Sequence, residues 1–176
     1  MKTRRSLTLL CLLSWMALQS PLAAHAEVLE QSYTDSLAQF KVSTPSARWK
    51  LSAPGSDPGS DRVAIRFESA VNQFVPNVTV RVEALLDPKS KLEDFCEEET
   101  KKLPEKIQLL GKKSITSHGV KGCEVQMKDS EHNFIFYQWV FFSKGKSYFL
   151  TCTSKEESFP LVQSDFMKIL NSFEFL

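Results

Sequence analysis

The chain has 176 residues, with 22 basic and 21 acidic side chains and a formal net charge of +1. This near-balance lacks the basic stripe that nucleic-acid-binding proteins carry, so we expect no nucleic-acid partner. The length is sufficient for one domain with a buried core.

The first 26 residues have the pattern of a cleaved signal peptide. Three basic residues near the N-terminus precede the apolar run Leu7–Leu18, and Ala24-His25-Ala26 fits a signal peptidase site. The apolar run is shorter than the roughly 20 residues of a membrane span. We therefore predict cleavage between Ala26 and Glu27, which leaves residues 27–176 as a single domain in the periplasm or secreted. This domain would carry 19 basic and 21 acidic residues, a net charge of −2, and no stable membrane anchor.

Two other export signals fit the leader less well. Arg4-Arg5 resembles a twin-arginine motif, but the strong apolar run after it favours the general secretory route. Cys11 follows Leu10, whereas a lipoprotein cleavage site needs a small residue directly before its cysteine. We therefore expect Cys11 to be removed with the leader.

The first part of the mature chain predicts strands. Residues 27–36 are polar and are interpreted as a loose lead-in. Apolar and polar side chains then alternate, as in half-buried strands, over Phe40–Ser43, Arg48–Leu51, Arg62–Phe67 and Val78–Leu86. Trp49 shares a face with Leu51 and is expected to be buried. Residues 54–61 are dense in Pro, Gly, Ser and Asp and predict an exposed loop, and residues 72–77 predict another.

A helix is predicted after Leu86-Asp87-Pro88. Ser90 is the expected N-cap, with Glu93 completing a capping box. Pro104 should end or kink this helix. One face of it is largely apolar and should pack on the core. That face consists of Leu92, Phe95, Cys96, Glu99 and Leu103.

The second half of the chain contains the strongest strand signal. Residues 107–115 are ambiguous and are interpreted as a strand entering from a loop, and Gly119–Lys128 alternates as a strand. Within Asn133–Ser154, two aromatic and β-branched runs flank a short polar break, which predicts a hairpin in the middle of an antiparallel sheet. Phe134–Phe142 is apolar at nearly every position, so this strand should be covered on both faces, by helices or by a partner. A final helix is predicted from the helical spacing of Phe159, Val162, Phe166, Ile169, Leu170 and Phe173.

These elements predict an α+β fold, an antiparallel sheet with helices packed against it. The order of several short motifs also resembles the PsbP/DcrB-like superfamily over nearly all of residues 40–175. These motifs are Phe40 and Val42 before Pro45 and Trp49, a helix after Pro88, Gly119-Val120-Lys121-Gly122, Tyr148-Phe149-Leu150-Thr151-Cys152, and a terminal helix ending at Ser172-Phe173-Glu174-Phe175. The resemblance implies an α/β/α sandwich. The superfamily includes photosystem II accessory proteins of the thylakoid lumen, bacterial envelope lipoproteins, secretion chaperones and a nuclear factor that binds a small GTPase. The resemblance therefore implies protein binding without catalysis.

The sequence shows no catalytic, cofactor-binding or metal-binding constellation. His118 and His132 lie in polar turns, without a ligand partner at i+2 or i+4. Asp129, Glu131 and His132 share one turn and form the alternative, a weak metal site, whereas zinc sites use about four ligands. No Gly-x-Ser-x-Gly elbow or Gly-rich phosphate loop occurs. We predict that the protein is not an enzyme.

Three cysteines remain after the leader, and an odd number leaves at least one thiol unpaired in an oxidising compartment. The predicted strand 134–142 separates Cys123 from Cys152 by about 9.5 Å, beyond the Cα reach of a disulfide, which is about 7 Å. If one disulfide forms, we expect Cys96 to pair with Cys152, or with Cys123 in place of Cys152. Three buried free thiols are the alternative.

We predict an exported, non-catalytic accessory or protein-binding domain of the bacterial periplasm or cell envelope. Its partner would be an unidentified envelope or lumen protein, and no cofactor is implied. The alternative is a carrier of a small apolar ligand in a pocket lined by some of the 13 phenylalanines.

Overall fold

The computed structural model describes residues 31–52, 61–85, 87 and 89–176. The predicted leader with its Ala26–Glu27 cleavage site, and nearly all of the predicted loop 54–61, lie outside these residues. The strands are β1 (Ser32–Asp35), β2 (Phe40–Ser43), β3 (Trp49–Ser52), β4 (Val63–Phe67), β5 (Asn77–Ala84), β6 (Ile107–Ser117), β7 (Val120–Asp129), β8 (Phe134–Ser143), β9 (Lys146–Lys155) and β10 (Glu174–Phe175). The helices are α1 (Leu92–Lys101) and α2 (Phe159–Asn171), the latter preceded by a short 3₁₀ helix, Glu156–Ser158. Among the described residues, no helix has both the length and the hydropathy of a membrane span.

The strands form two sheets. Seven of them lie in the order β3-β4-β5-β9-β8-β7-β6, and every neighbouring pair is antiparallel. The other three form a small antiparallel sheet in the order β1-β2-β10. The predicted hairpin is β8–β9, near the middle of the large sheet. Its turn residues, Lys144 and Gly145, have φ of 48° and 73°, as the tight turn between two such strands requires.

Helices and the small sheet cover both faces of the large sheet. On one face, which we call the α2 face, alternate residues of β8 join the main core with Val162 and Phe166 of α2 and with Phe40 of the small sheet. On the opposite face, the α1 face, Leu92 and Cys96 of α1 pack on Val140 of β8. Strand β8 therefore has buried side chains on both faces, as its apolar pattern predicted. This layering confirms the predicted α+β fold with helices packed against an antiparallel sheet.

Trp49 connects β3 to α2. Its side chain is fully buried, and its indole Nε1–H donates to Oδ2 of Asp165 over 2.8 Å. Its ring lies 5.1 Å from that of Phe67 and 5.6 Å from that of Phe166. The predicted burial of Trp49 is confirmed.

The sequence interpretation was wrong at three element boundaries. The polar lead-in contains β1, which pairs with β2, and the last residues form β10. Helix α1 has Lys91 rather than Ser90 at its N-cap, and no side chain caps it. The reason is a turn at Asp87, whose side chain and carbonyl accept the amides of Lys89 and Ser90 and so keep Ser90 outside the helix. The helix ends at Lys101, before Pro104.

Candidate binding cleft at the edge of the sheet

Strand β6 forms one edge of the large sheet and has a strand neighbour on one side. It is 11 residues long, whereas β3 at the opposite edge has four, and most of its residues are exposed. It pairs with β7 from Ile107 opposite Asp129 to Ser117 opposite Val120, with a bulge between Leu109 and Gly111. A long exposed edge presents unpaired backbone groups to which another strand can add.

The turn between β6 and β7 determines which backbone groups face outward. It consists of His118–Gly119, with φ of 47° and 78°. In a two-residue hairpin the flanking pair, here Ser117 and Val120, is hydrogen-bonded, and bonded pairs then alternate with non-bonded pairs along the ladder. The non-bonded positions direct their N–H and C=O groups away from β7. On β6 these positions are Lys112, Ser114 and Thr116.

A cleft of about 510 Å³ separates this free edge from α1, and we call it the edge cleft. One wall consists of Leu92, Glu93, Cys96 and Glu97 of α1. The opposite wall and the floor consist of residues 112–116 and 121–123. Ser114 is opposite Cys123 in the ladder, so its side chain lies on the α1 face and toward the cleft. The cleft therefore combines an open strand edge with a helix beside it.

A disulfide between Cys96 and Cys123 fixes α1 at the base of the edge cleft, with the two Cα atoms 6.7 Å apart. This is the alternative pairing left open by the sequence, and the preference for Cys152 was wrong. Cys152 lies in the main core on the α2 face, whereas α1 packs on the opposite face. Strand β8 does separate Cys123 from Cys152, as predicted.

Cys152 is a free, fully buried thiol. Burial raises its pKa, which keeps the sulfur protonated and weakly nucleophilic. It therefore behaves as a small apolar core residue.

Two described spaces beside α1 have phenylalanines in their walls. A cavity of about 220 Å³ beneath the helix is lined by Phe95 and Phe149 together with Val125 and Val140, and it is smaller than the roughly 300–1,000 Å³ of typical ligand pockets. A neighbouring groove of about 350 Å³ is lined by Phe95, Phe142 and Phe149, together with charged side chains such as Arg81 and Glu83. Other phenylalanines instead fill the main core, among them Phe40, Phe67, Phe141, Phe159, Phe166 and Phe173.

The charges around the edge cleft are unevenly distributed. On the helix wall, Lys101 Nζ lies 2.6 Å from Glu97 Oε1, and this hydrogen bond is the main cause of the lowered pKa of Glu97. On the α2 face, Lys113 Nζ lies 2.9 Å from Glu124 Oε1, and Trp139 donates to the same carboxylate. Strand β6 itself contains two lysines and no carboxylate. Its outward edge is therefore basic, with Lys112 exposed on the cleft side.

The turn after β7 brings Asp129, Glu131 and His132 together, with one ligand atom from each within 4.8 Å of the others. His132 Nδ1 lies 2.9 Å from Asp129 Oδ2, and this hydrogen bond is the main cause of the lowered pKa of Asp129. The backbone amides of Glu131 and His132 donate to the other oxygen of Asp129, and Lys106 pairs with Glu131 at 3.0 Å. Asp129 and His132 are therefore hydrogen-bonded to each other within the turn, and Glu131 is paired with Lys106 from outside it. His118 lies apart, at the opposite end of β7.

The sequence matches no family model and no curated protein. Several solved structures have a similar fold. CyanoP, the PsbP of Synechocystis sp. PCC 6803, is 14% identical with a TM-score of 0.61, and the match covers 90% of this chain and 99% of that one. LpqN, described as involved in cell envelope biogenesis of Mycobacterium tuberculosis, is 16% identical with a TM-score of 0.60, covering 81% and 89%. PA94 of Pseudomonas aeruginosa, a protein of unknown function and putative regulator, is 12% identical with a TM-score of 0.57, covering 81% and 94%. Identities this low establish similarity of fold alone.

Proposed function

We propose, from the premise that this chain has the PsbP/DcrB-like fold, that it is an exported, non-catalytic accessory protein of the bacterial periplasm or cell envelope that binds another protein. The observation that carries the proposal is the edge cleft. It joins an exposed 11-residue strand to a helix wall and offers polar backbone groups and charged side chains. A surface of this kind suits an extended segment of a protein better than a small molecule.

Three observations support an exported location. The Cys96–Cys123 disulfide is of a type that persists in oxidising compartments such as the periplasm. The signal peptide predicted to end at Ala26 would supply a route to that compartment. Among the similar folds, LpqN is itself described as involved in cell envelope biogenesis. The intact mass of the exported protein tests the route. We expect a chain beginning at Glu27, and a retained leader or an acylated Cys11 would contradict this expectation.

The contacts of the two histidines and of the free cysteine support a non-catalytic role. The imidazole of His132 is bonded to Asp129 within its own turn, and Nε2 of His118 lies 3.4 Å from a backbone carbonyl. The Cys152 thiol is buried with a raised pKa. Among the described residues, none of these contacts joins a nucleophile to a base, as covalent catalysis would require.

Photo-cross-linking in native envelope extract tests the proposal. A benzophenone side chain is placed at Lys121, on the wall of the edge cleft, and in a matched variant at Lys50, an exposed residue of β3 at the far edge of the sheet. We expect a discrete protein adduct from position 121 and not from position 50. The absence of an adduct at 121, or equal adducts at both positions, would contradict binding at the cleft.

The 220 Å³ cavity beneath α1 supports the alternative, a carrier of a small apolar ligand, because its lining includes Phe95 and Phe149. Native mass spectrometry separates the two functions. Persistent extra mass of a few hundred daltons, lost on denaturation, would favour the carrier. The bare polypeptide mass is the result that we expect.

A further inference from the structure

We propose that the free edge of β6 binds an extended, acidic segment of a partner protein as an additional β-strand, with alternate side chains of the segment entering the edge cleft beside α1. This inference rests on the proposed protein-binding function and specifies how and what the site binds. It follows from the backbone register, the shape of the cleft and the charge of the strand.

The backbone of β6 is suited to strand addition. The outward-facing groups of Lys112, Ser114 and Thr116 form a row of alternating donors and acceptors that spans about 17 Å along the edge. The side chains at these positions lie on the α1 face, on the side of the cleft. A strand that pairs with this row has α1 along one of its faces. Its side chains on that face occupy the 510 Å³ space, which is the arrangement by which sheet-edge recognition achieves specificity.

The charge of β6 favours a partner over a second copy of this chain. Antiparallel pairing of β6 with itself would bring two copies of Lys112 and Lys113 to one interface, with no carboxylate between Ile107 and Ser117 to offset them. Like charges on neighbouring strands are destabilising. Lys113 is compensated by Glu124 on the α2 face. Lys112 and Lys121 are both exposed on the cleft side, where Lys112 Nζ donates to Thr100 Oγ1 over 3.4 Å and interacts electrostatically with Glu97. An acidic side chain of the segment opposite Lys112 would pair with this lysine.

The neighbours of Lys112 define the segment further. Leu109 and Leu110 are 40% and 44% exposed at the bulge, so an apolar residue of the segment can pack there. Glu93 and Glu97 on the helix wall disfavour acids next to Ser114 and favour small or polar residues. The expected segment is therefore extended, with an apolar residue near the bulge, an acid opposite Lys112, and small residues beside α1.

Selection from a phage-displayed library of random dodecapeptides on the purified protein tests the inference. The key variant is Ser114→Pro, because this amide points to the free edge and its loss removes no ladder bond to β7. Ser114→Ala is the matched control, since it keeps the amide. We expect enriched peptides that carry acids. They should bind Ser114→Ala like the wild type and Ser114→Pro about tenfold more weakly, the size of one or two lost hydrogen bonds. Lys112→Glu should weaken them as well.

Amide hydrogen exchange of the wild-type protein gives a second readout that does not depend on how Ser114→Pro folds. A bound peptide should slow exchange at Lys112, Ser114 and Thr116 and leave Lys113 and Ile115, which already bond to β7, unchanged. No enrichment of acidic peptides, or enriched peptides that protect none of the three amides, would overturn the inference. An adduct at position 121 without such protection would leave the proposed function standing and refute strand addition. Protection of the three amides by peptides, without any protein adduct at position 121, would support strand addition and contradict the proposed function.

Discussion

Removal of the Cys96–Cys123 disulfide should lower the free energy of unfolding by roughly 3.5 kcal/mol. The bond closes a loop with a sequence separation of 27, and the chain-entropy model gives about 12 cal/mol/K for a loop of this length. The double variant Cys96→Ala/Cys123→Ala removes the cross-link and also two sulfur atoms that pack with Leu92 and Phe149, so lost packing adds to its cost. The effect of the cross-link itself should reside mainly in the unfolded chain, and reduction of the wild type measures it alone.

Urea unfolding measures this difference. With a denaturant slope of about 2 kcal/mol/M, the midpoint should fall by roughly 1.5–2 M. The matched control is Cys152→Ala, which alters a fully buried but unbonded cysteine and should cost roughly 1 kcal/mol. A reducing agent should reproduce the shift in the wild type and leave the double variant unchanged.

Peptide mapping without reduction decides whether the reasoning is correct. We expect one linked peptide containing Cys96 and Cys123, together with a free Cys152 that reacts only after denaturation. A peptide linking Cys96 to Cys152 would refute the assignment of the two faces. An unchanged urea midpoint in the double variant would refute the loop-entropy account.

Three further substitutions test the core, and a fourth at an exposed position is a control. Trp49→Ala should cost roughly 3–5 kcal/mol, because the buried ring and its hydrogen bond are both lost, and loss of partner binding with unchanged stability would contradict this. Burial, followed by contacts with Glu124, raises the pKa of Tyr137, so the wild type should lose stability as the pH rises above the unfolded-state value of about 10. Tyr137→Phe should be less stable than the wild type at pH 8. Above pH 10, the difference in their free energies of unfolding, measured by urea titration, should narrow by at most about 1.4 kcal/mol per pH unit. A difference that stays constant with pH would contradict this expectation. Gly122→Ala would place its Cβ against the fully buried Phe141 ring and 2.9 Å from the Val140 backbone oxygen, and it should cost roughly 1–3 kcal/mol in thermal unfolding. Gly111→Ala, with open space around it, should be nearly neutral.

Most of the large sheet was predictable because its strands have a recognisable pattern of apolar residues. β7, β8 and β9 alternate or are apolar throughout, and tight turns join them. β1 and β10 were missed because each is short, with four and two residues, and each forms by pairing with β2 rather than from a strand pattern of its own. The pairing of β10 with β2 joins segments far apart in the sequence, and the strand propensity of either segment alone does not predict such a contact.

The turns restrict the cysteine pairing but do not determine it. The β8–β9 turn places Cys152 opposite Tyr137, and the β7–β8 turn places Cys123 opposite Val140. Positions 137 and 140 differ by an odd number, so the two cysteines lie on opposite faces of the sheet. Cys96 can then reach one of them only, depending on the face that α1 covers. The registers were within reach of the sequence, but the choice of face was not.

The edge cleft could not be predicted because it depends on strand order. Residues 107–115 gave an ambiguous pattern, since exposed edge positions need no apolar alternation. That β6 is an edge strand follows from the crossover through α1, which carries the chain from β5 to the far side of β7. Tertiary arrangement, rather than local sequence, therefore creates the site.

The pairing of β10 with β2 also sets the order in which the molecule can be completed. Glu174 and Phe175 lie opposite Lys41 and Phe40, roughly 130 residues earlier, and the Phe173 ring stacks on that of Phe40 at 5.4 Å. A nascent chain holds β2 without this partner until residues 174 and 175 have been synthesised. β1 can pair with β2 early, whereas β10 can join the small sheet only after every strand of the large sheet has been made.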